Sequence, residues 1–230
     1  MNEQNLITVP AEPDPLQVDL KRMALLVIDM QNAFASKGGM LDLFGADISG
    51  VSEIVAPIKN TIGILRTKGI KVIYVAHRLS PDLREVGPLT PYAYNKMELE
   101  AWHKKPETRD KIVLRGTWGA EIIDELKPQP SDIVIEKRRF SAFVGTDLDM
   151  TLRTFGIKYL VFTGVTTNVC VESSLRDAYH LDYFPILLSD ATVAPKASMY
   201  QATIANVKQV FGWVTTTTSL IKVIERAQQS

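Results

Sequence analysis

Three polar residues that lie far apart in the chain could together cleave an amide: Asp29, Lys137 and Cys170. A cysteine thiolate is a strong nucleophile toward a carbonyl carbon, and a carboxylate can accept the thiol proton and pass it to a leaving amine. A lysine ammonium can keep that carboxylate ionised and can stabilise the thiolate by its charge. These residue types therefore suffice for covalent amide hydrolysis, provided that the fold brings them together.

Each of the three residues also has a structural interpretation when it is taken alone. Asp29 could cap a turn, as aspartate often does at the end of a strand. Lys137 belongs to the charged run 136–139, and most such runs are solvated faces. Cys170 is the only cysteine of the chain, and a lone cysteine is commonly a small buried hydrophobe. A catalytic interpretation thus depends on where the fold places all three.

Their expected placement follows from the strands that precede them. Apolar runs end at Asp29 and at Lys137. A third run, 158–163, leads through a Thr/Asn turn to Cys170 in the first turn of a helical pattern. Ligands of open α/β sheets bind outside the carboxyl ends of the strands, so the three side chains are expected to share one crevice. Helix N-terminal amides favour an anion, so the thiolate of Cys170 is expected to form more easily than in a free cysteine.

Strand-like and helix-like stretches alternate along the chain, which predicts an α/β fold. The strand-like runs are almost continuously apolar, as in parallel sheets that are buried on both faces. We therefore expect a doubly wound, mostly parallel six-stranded sheet with helices on both faces. The predicted strands cover residues 23–29, 70–77, 132–137, 158–163, 184–190 and, at one edge, 212–218. The predicted helices cover residues 54–68, 120–126, 147–155, the stretch after 170, 199–210 and 220–227.

The domain organisation is expected to be simple. Residues 1–20 are polar and contain several prolines, which predicts an extended N-terminal arm. Residues 21–230 are long enough for one domain with a well-filled core. The stretch 78–118 is irregular and exceeds the length of an ordinary connection. It is expected to serve as a substrate lid or a subunit contact, with a solvated excursion as the alternative.

Composition argues against several classes of protein. The 26 basic and 26 acidic residues balance, so neither a nucleic-acid partner nor a membrane surface is expected. The absence of a membrane-length apolar run and of a signal-peptide layout, together with a single cysteine, predicts a cytoplasmic location. The three histidines, His77, His103 and His180, show no ligand spacing, and glycine-rich phosphate loops are absent. We therefore expect neither a metal nor a cofactor.

The turn before Cys170 is a candidate oxyanion hole. The backbone amides of Thr166 and Cys170 lie at the predicted junction of strand and helix, where they could donate to a developing oxyanion. The small side chains of the turn add donors without bulk. An N-cap cluster is the structural alternative, and both roles can hold together.

Three motifs in this order resemble those of the isochorismatase-like cysteine hydrolases. They are Leu-Val-Ile-Asp-Met-Gln-Asn-Ala-Phe at 26–34, the lysine after the third strand, and Gly-Val-Thr-Thr-Asn-Val-Cys at 164–170. The resemblance extends over residues 23–224. It implies a six-stranded parallel sheet, a catalytic triad of the acid, the lysine and the cysteine, and a cis peptide between Val165 and Thr166. It also implies a homo-oligomer, with a tetramer favoured, whose active site can borrow residues from a neighbouring subunit.

The resemblance implies hydrolysis of a C–N bond in a small ureido or carbamoyl compound, of ureidoacrylate or biuret type. Ammonia would leave, and a thioester-type intermediate would form on the cysteine. Arg138 or Arg139 could pair with a substrate carboxylate, or could lie at a surface or an interface. The residues expected to contact the substrate are Gln31, Phe34, His77, Ser141, Thr167 and Trp213.

Several alternatives stay open at this stage. For the aromatic candidates, core packing is the competing role. The residues 76–79, Ala-His-Arg-Leu, depart from the pattern of the ureidoacrylate-cleaving members, which leaves the substrate undecided. An amidase for an N-carbamoyl amino acid, maleamate or nicotinamide is one alternative. A catalytically inert binding protein on the same fold is another, and a redox sensor would need a second, resolving cysteine.

Overall fold

A six-stranded parallel sheet forms the centre of the computed structural model, which describes residues 6–87 and 105–227. The sheet has the order β5-β4-β3-β6-β7-β8, so the direction of winding reverses between β3 and β6. This arrangement confirms the predicted doubly wound α/β fold. The strands of the described residues are β1 Leu6–Val9, β2 Leu16–Asp19, β3 Met23–Ile28, β4 Lys71–His77, β5 Ile133–Lys137, β6 Tyr159–Val165, β7 Phe184–Val193 and β8 Trp213–Thr215.

The central strand β3 explains why the sheet is covered on both sides. All six of its residues are buried, and they alternate between two separate hydrophobic clusters. Leu25 and Val27 pack in one cluster with Ile58, whereas Leu26 and Ile28 pack in the other. Because successive side chains of a strand point to opposite faces, a run without polar residues needs apolar cover on both.

Helices supply that cover. The apolar residues of α3 (Val51–Thr67) and α7 (Thr217–Arg226) join the first cluster, and those of α4 (Leu148–Thr154), α5 (Glu172–His180) and α6 (Ala197–Asn206) join the second. None of the helices in the described part of the chain is both long and apolar enough to cross a membrane. The helices are α1 Asn32–Ala35, α2 Met40–Leu43, α3 Val51–Thr67, α4 Leu148–Thr154, α5 Glu172–His180, α6 Ala197–Asn206 and α7 Thr217–Arg226.

The N-terminal residues form more than an extended arm. Strands β1 and β2 pair as an antiparallel hairpin, and Val9 and Val18 are buried in the first cluster. Glu12 also forms backbone hydrogen bonds with Val214 of the edge strand β8. The hairpin therefore packs against the domain that follows it.

The predicted helix at 120–126 is not formed. Two 3₁₀ turns, Trp118–Ala120 and Asp124–Leu126, replace it. The backbone between them bonds to the chain that leaves β3, since Ile122 bridges to Gln31 and the Ile123 amide donates to the Met30 carbonyl. These long-range bonds use groups that a helix would have paired internally. Residues 88–104 of the expected lid or contact segment lie outside the described residues.

Candidate active site

The acid, the amine and the thiol meet at the carboxyl edge of the sheet. Lys137 ends β5 and reaches across the end of β4, where its Nζ lies 2.7 Å from Asp29 Oδ2 and 3.4 Å from Cys170 Sγ. Lys137 Nζ also donates to the Arg139 carbonyl at 3.2 Å. The side chains are nearly inaccessible, with Lys137 0%, Asp29 1% and Cys170 6% exposed. The structure thus brings the three side chains together, as their positions at the ends of strands predicted.

Burial and charge pairing set the protonation of Asp29 and Lys137. Burial raises the pKa of Asp29 above 3.8, although the Lys137 charge and the His77 amide oppose the shift. Burial disfavours the ammonium of Lys137, but the charges and hydrogen bonds of Asp29 and Cys170 together outweigh burial and raise the pKa of Lys137 above 10.5. The 2.7 Å contact between the two groups therefore favours the ionised form of each.

The thiol of Cys170 is less acidic than the sequence led us to expect. Burial raises the pKa of Cys170 far above that of a free cysteine, and the neighbouring Asp29 carboxylate raises it further. Lys137 lowers it, but only in part. The prediction that the thiolate forms easily at rest is therefore wrong. Asp29 forms a hydrogen bond with the thiol and is therefore placed to accept its proton.

The backbone around the cysteine is held in an unusual turn. Cys170 lies in a π-helical turn, Thr167–Val171, directly before α5. The Ser174 hydroxyl donates to the Cys170 carbonyl at 2.6 Å and accepts from the Ala142 amide at 2.8 Å. The peptide between Val165 and Thr166 is cis, as the family resemblance implied.

A small cavity of about 240 Å³ opens in front of the sulfur. Thr166 and Cys170, the two residues of the predicted oxyanion hole, both line it. The remaining walls come mainly from apolar side chains, so polar chemistry is confined to the end that holds the sulfur and the carboxylate. The lining residues are Asp29, Phe34, Met40, Leu41, His77, Phe140, Val165, Thr166, Val169 and Cys170.

Two of the six expected substrate contacts, Phe34 and His77, line this cavity. Gln31, Ser141 and Thr167 are buried beside it without lining it. Gln31 bonds to backbone groups, Ser141 Oγ accepts from the Phe143 amide, and Thr167 Oγ1 lies 2.9 Å from Thr192 Oγ1. These three side chains are thus engaged in holding the surrounding chain.

Trp213 does not reach the cavity, contrary to expectation. It is the first residue of β8 and pairs with Ile186 near the start of β7. It therefore lies toward the amino edge of the parallel strands, opposite to the edge that carries the triad. There it borders a separate depression with Tyr179, His180 and Phe184.

Sequence reasoning missed most of the apolar wall. Met40 and Leu41 come from the short helix α2, and Phe140 follows the charged run after β5. Val165 ends β6, and Val169 lies next to Cys170 within the turn that holds the nucleophile. Such residues carry no chemical pattern, and only proximity to the motifs could have suggested them.

The two arginines after Lys137 form an ion pair and hydrogen bonds with the loop that follows β4. Arg138 Nε lies 3.5 Å from Glu85 Oε1, and the Arg139 guanidinium donates to the carbonyls of Arg138 and Glu85. Neither arginine lines the cavity. Within residues 6–87 and 105–227, no cluster of three or more His, Cys, Asp or Glu residues is arranged to hold a metal ion.

The protonation of Asp29 predicts how activity depends on pH. A general base must be ionised, so kcat/KM should fall as the pH drops through the raised pKa of Asp29, with a midpoint above 3.8. His77 should add no inflection near 6.5, because burial and the Lys137 and Arg139 charges hold its pKa well below that value. Initial rates across the acidic and neutral range test this. A midpoint at or below that of an ordinary aspartate would contradict it.

Known proteins resemble this chain in sequence and in structure. The model of the Isochorismatase domain matches residues 23–219. The chain is 44% identical to the ureidoacrylate amidohydrolase RutB of Agrobacterium fabrum over 224 residues, which cover 96% of this chain and 98% of that protein. A cysteine hydrolase from Pseudomonas syringae pv. phaseolicola has a TM-score of 0.78 and 27% identity, over 96% of this chain and 98% of its own. The N-carbamoylsarcosine amidase of Thermoplasma acidophilum has a TM-score of 0.64 and 27% identity, over 85% and 96% of the two chains.

Proposed function

We propose that this chain, which belongs to the isochorismatase family, hydrolyses a C–N bond of a small ureido compound and releases ammonia. The observation that carries the proposal is the contact of Lys137 with both Asp29 and Cys170, two residues that line the same small cavity. A carboxylate, an ammonium and a thiol in contact are the parts that covalent amide hydrolysis requires.

The reaction begins with transfer of the Cys170 proton to Asp29. The sulfur attacks the carbonyl carbon of the substrate, and Asp29 returns the proton to the nitrogen as the C–N bond breaks and ammonia leaves. A water molecule, activated by the same carboxylate, then attacks the carbonyl carbon bound to sulfur and releases the acid product and the free thiol. Throughout, Lys137 stabilises whichever of the two partners carries the negative charge.

The tetrahedral intermediate needs donors for its oxyanion. We assign these to the backbone amides of Thr166 and Cys170, since both residues line the cavity at the end where the sulfur lies. One such donor contributes about 3 kcal/mol to the transition state. The cis peptide at Thr166 is part of the same turn.

Ureidoacrylate is the first candidate substrate, because the relative from Agrobacterium fabrum is named for its hydrolysis. The cavity of about 240 Å³ suits a molecule of that size, since it falls below the roughly 300–1,000 Å³ typical of pockets for drug-sized ligands.

An uncharged ureide such as biuret is the second candidate. Among residues 6–87 and 105–227, no lysine or arginine lines the cavity, and a carboxylate would need such a partner. The wall also contains His77, which is uncharged at neutral pH because burial lowers its pKa well below 6.5. A neutral imidazole can hydrogen-bond an amide group without charge.

An ammonia-release assay over ureidoacrylate, biuret, triuret, N-carbamoyl amino acids, maleamate and nicotinamide tests the proposal. We expect a ureide to have the highest kcat/KM, at least about 100-fold above nicotinamide and maleamate, because a missing hydrogen-bonding group leaves buried polar atoms of the site unpaired. The Cys170→Ser variant serves as the blank. Highest activity on nicotinamide or maleamate, or no turnover of any compound, would overturn the proposed substrate class.

The assembly and the location belong to the same proposal. A homo-oligomer, with a tetramer favoured, follows from the family resemblance, and light scattering during gel filtration measures its mass. A cytoplasmic location follows from the single free cysteine, which a reducing compartment keeps active.

A further inference from the structure

The side chain of Gln31 does not line the cavity, and both of its polar atoms form hydrogen bonds with backbone groups. It is 0% exposed. Its Nε2 donates to the carbonyls of His77 and Ala120, each at 2.8 Å, and its Oε1 accepts from the His77 amide at 2.7 Å. Gln31 thereby ties the end of β4 to the 3₁₀ turn Trp118–Ala120.

The same His77 amide is also a hydrogen-bond donor to the proposed base. Its nitrogen lies 3.0 Å from Asp29 Oδ1 and 2.7 Å from Gln31 Oε1. One N–H group is therefore shared between a carboxylate and a neutral amide oxygen, and the amide oxygen is the nearer of the two. Asp29 receives only part of the bond.

We propose that Gln31 is a positioning residue for Asp29. It fixes the end of β4 that carries the His77 N–H, and its Oε1 is the closer of the two oxygens that accept this hydrogen bond. The proposal rests on the proposed role of Asp29 as the base. Donation to a carboxylate stabilises its ionised form. By drawing the N–H toward itself, Gln31 leaves Asp29 more basic and better able to accept the thiol proton.

The test uses the pH dependence of Cys170 alkylation by iodoacetamide, which requires no substrate. Alkylation needs removal of the thiol proton, and ionised Asp29 accepts it, so the rate falls at low pH with the titration of Asp29. Gln31→Met and Gln31→Leu remove the competing acceptor. In both variants the low-pH midpoint should move down by about one pH unit. The His77 amide then donates its hydrogen bond to Asp29 alone and stabilises the carboxylate more strongly.

Gln31→Glu retains an oxygen at the same place and is the conservative control. Its midpoint should stay at or above that of the wild type. Asn32→Leu is the matched structural control, since Asn32 Nδ2 donates to the Trp118 carbonyl at 3.0 Å in the same 3₁₀ turn but bonds to neither His77 nor Asp29. That variant should lose stability without a change of midpoint.

The outcomes distinguish an effect of Gln31 on the titration of Asp29 from a purely structural role of Gln31. A folded Gln31→Met or Gln31→Leu protein with the wild-type midpoint overturns the proposal. A downward shift in Gln31→Glu overturns it too, and this variant decides alone if the other two do not fold. If no substrate releases ammonia, the proposed function is wrong, but the alkylation midpoints do not change. The failure of the proposed function and the failure of the proposed role of Gln31 are therefore distinguishable.

Discussion

Replacement of Cys170 by serine is expected to abolish ammonia release, with a loss of at least about 10⁴-fold in kcat. Serine keeps the size and the hydrogen-bonding capacity of the side chain, so Lys137 and the carboxylate retain a partner. A hydroxyl is a far weaker nucleophile than a thiolate. The deficit should therefore lie in the chemical step, with the fold intact.

The measurement combines turnover, mass and stability. Cys170 is the only cysteine, so complete alkylation of the wild type should add one label and remove activity in parallel. Quenched wild-type enzyme should carry the acyl group of the substrate, and the serine variant should not. Residual activity within tenfold of the wild type, at an unchanged melting temperature, would remove the covalent mechanism.

The convergence of the triad could be predicted from sequence because each member ends or follows an apolar run. Continuous apolar strands indicate a parallel sheet, and parallel strands place their carboxyl ends on one edge. That inference requires only local patterns and one topological rule. The structure adds that Lys137, at the end of an outer strand, reaches the centre through its long side chain.

Two of the wrong predictions, those for Cys170 and Gln31, share a cause, since both depended on surroundings that come from distant parts of the chain. The helix-amide argument for Cys170 omitted burial and the Asp29 charge, which together raise its pKa. Gln31 lies two residues after Asp29, but the direction of its side chain is set by His77 at the carboxyl end of β4 and by Ala120. Trp213 is a different case, because it is the first residue of a parallel strand, and the rule that gathers the carboxyl ends on one edge places it at the opposite edge.

Asp29→Asn is expected to reduce kcat by about 10³-fold and at the same time to make the thiol more acidic. The two effects point in opposite directions, which distinguishes a base from a residue that only supports the fold. Asparagine cannot accept the thiol proton, so attack and departure of ammonia both lose their proton carrier. The carboxylate is also one of the causes that raise the pKa of Cys170. Its removal leaves Lys137, 3.4 Å from the sulfur, without an opposing charge.

Alkylation of Cys170 across the pH range measures the second effect. The variant should lose the low-pH inflection that Asp29 produces in the wild type, and its thiol should ionise at a lower pH than the wild-type thiol. Asp124→Asn is the matched control, because that side chain is 86% exposed and lies outside the cavity. It should leave both turnover and alkylation unchanged.

An Asp29→Asn enzyme with an unchanged thiol titration would show that the carboxylate and the sulfur do not interact. A variant with normal turnover would show that another group carries the proton. The combination of a slower enzyme and a more acidic thiol would support a double role of Asp29. In that case Asp29 withholds the thiolate at rest, because its charge and the burial of the site keep the proton on sulfur, and it releases the nucleophile by taking that proton when the substrate carbonyl is in place.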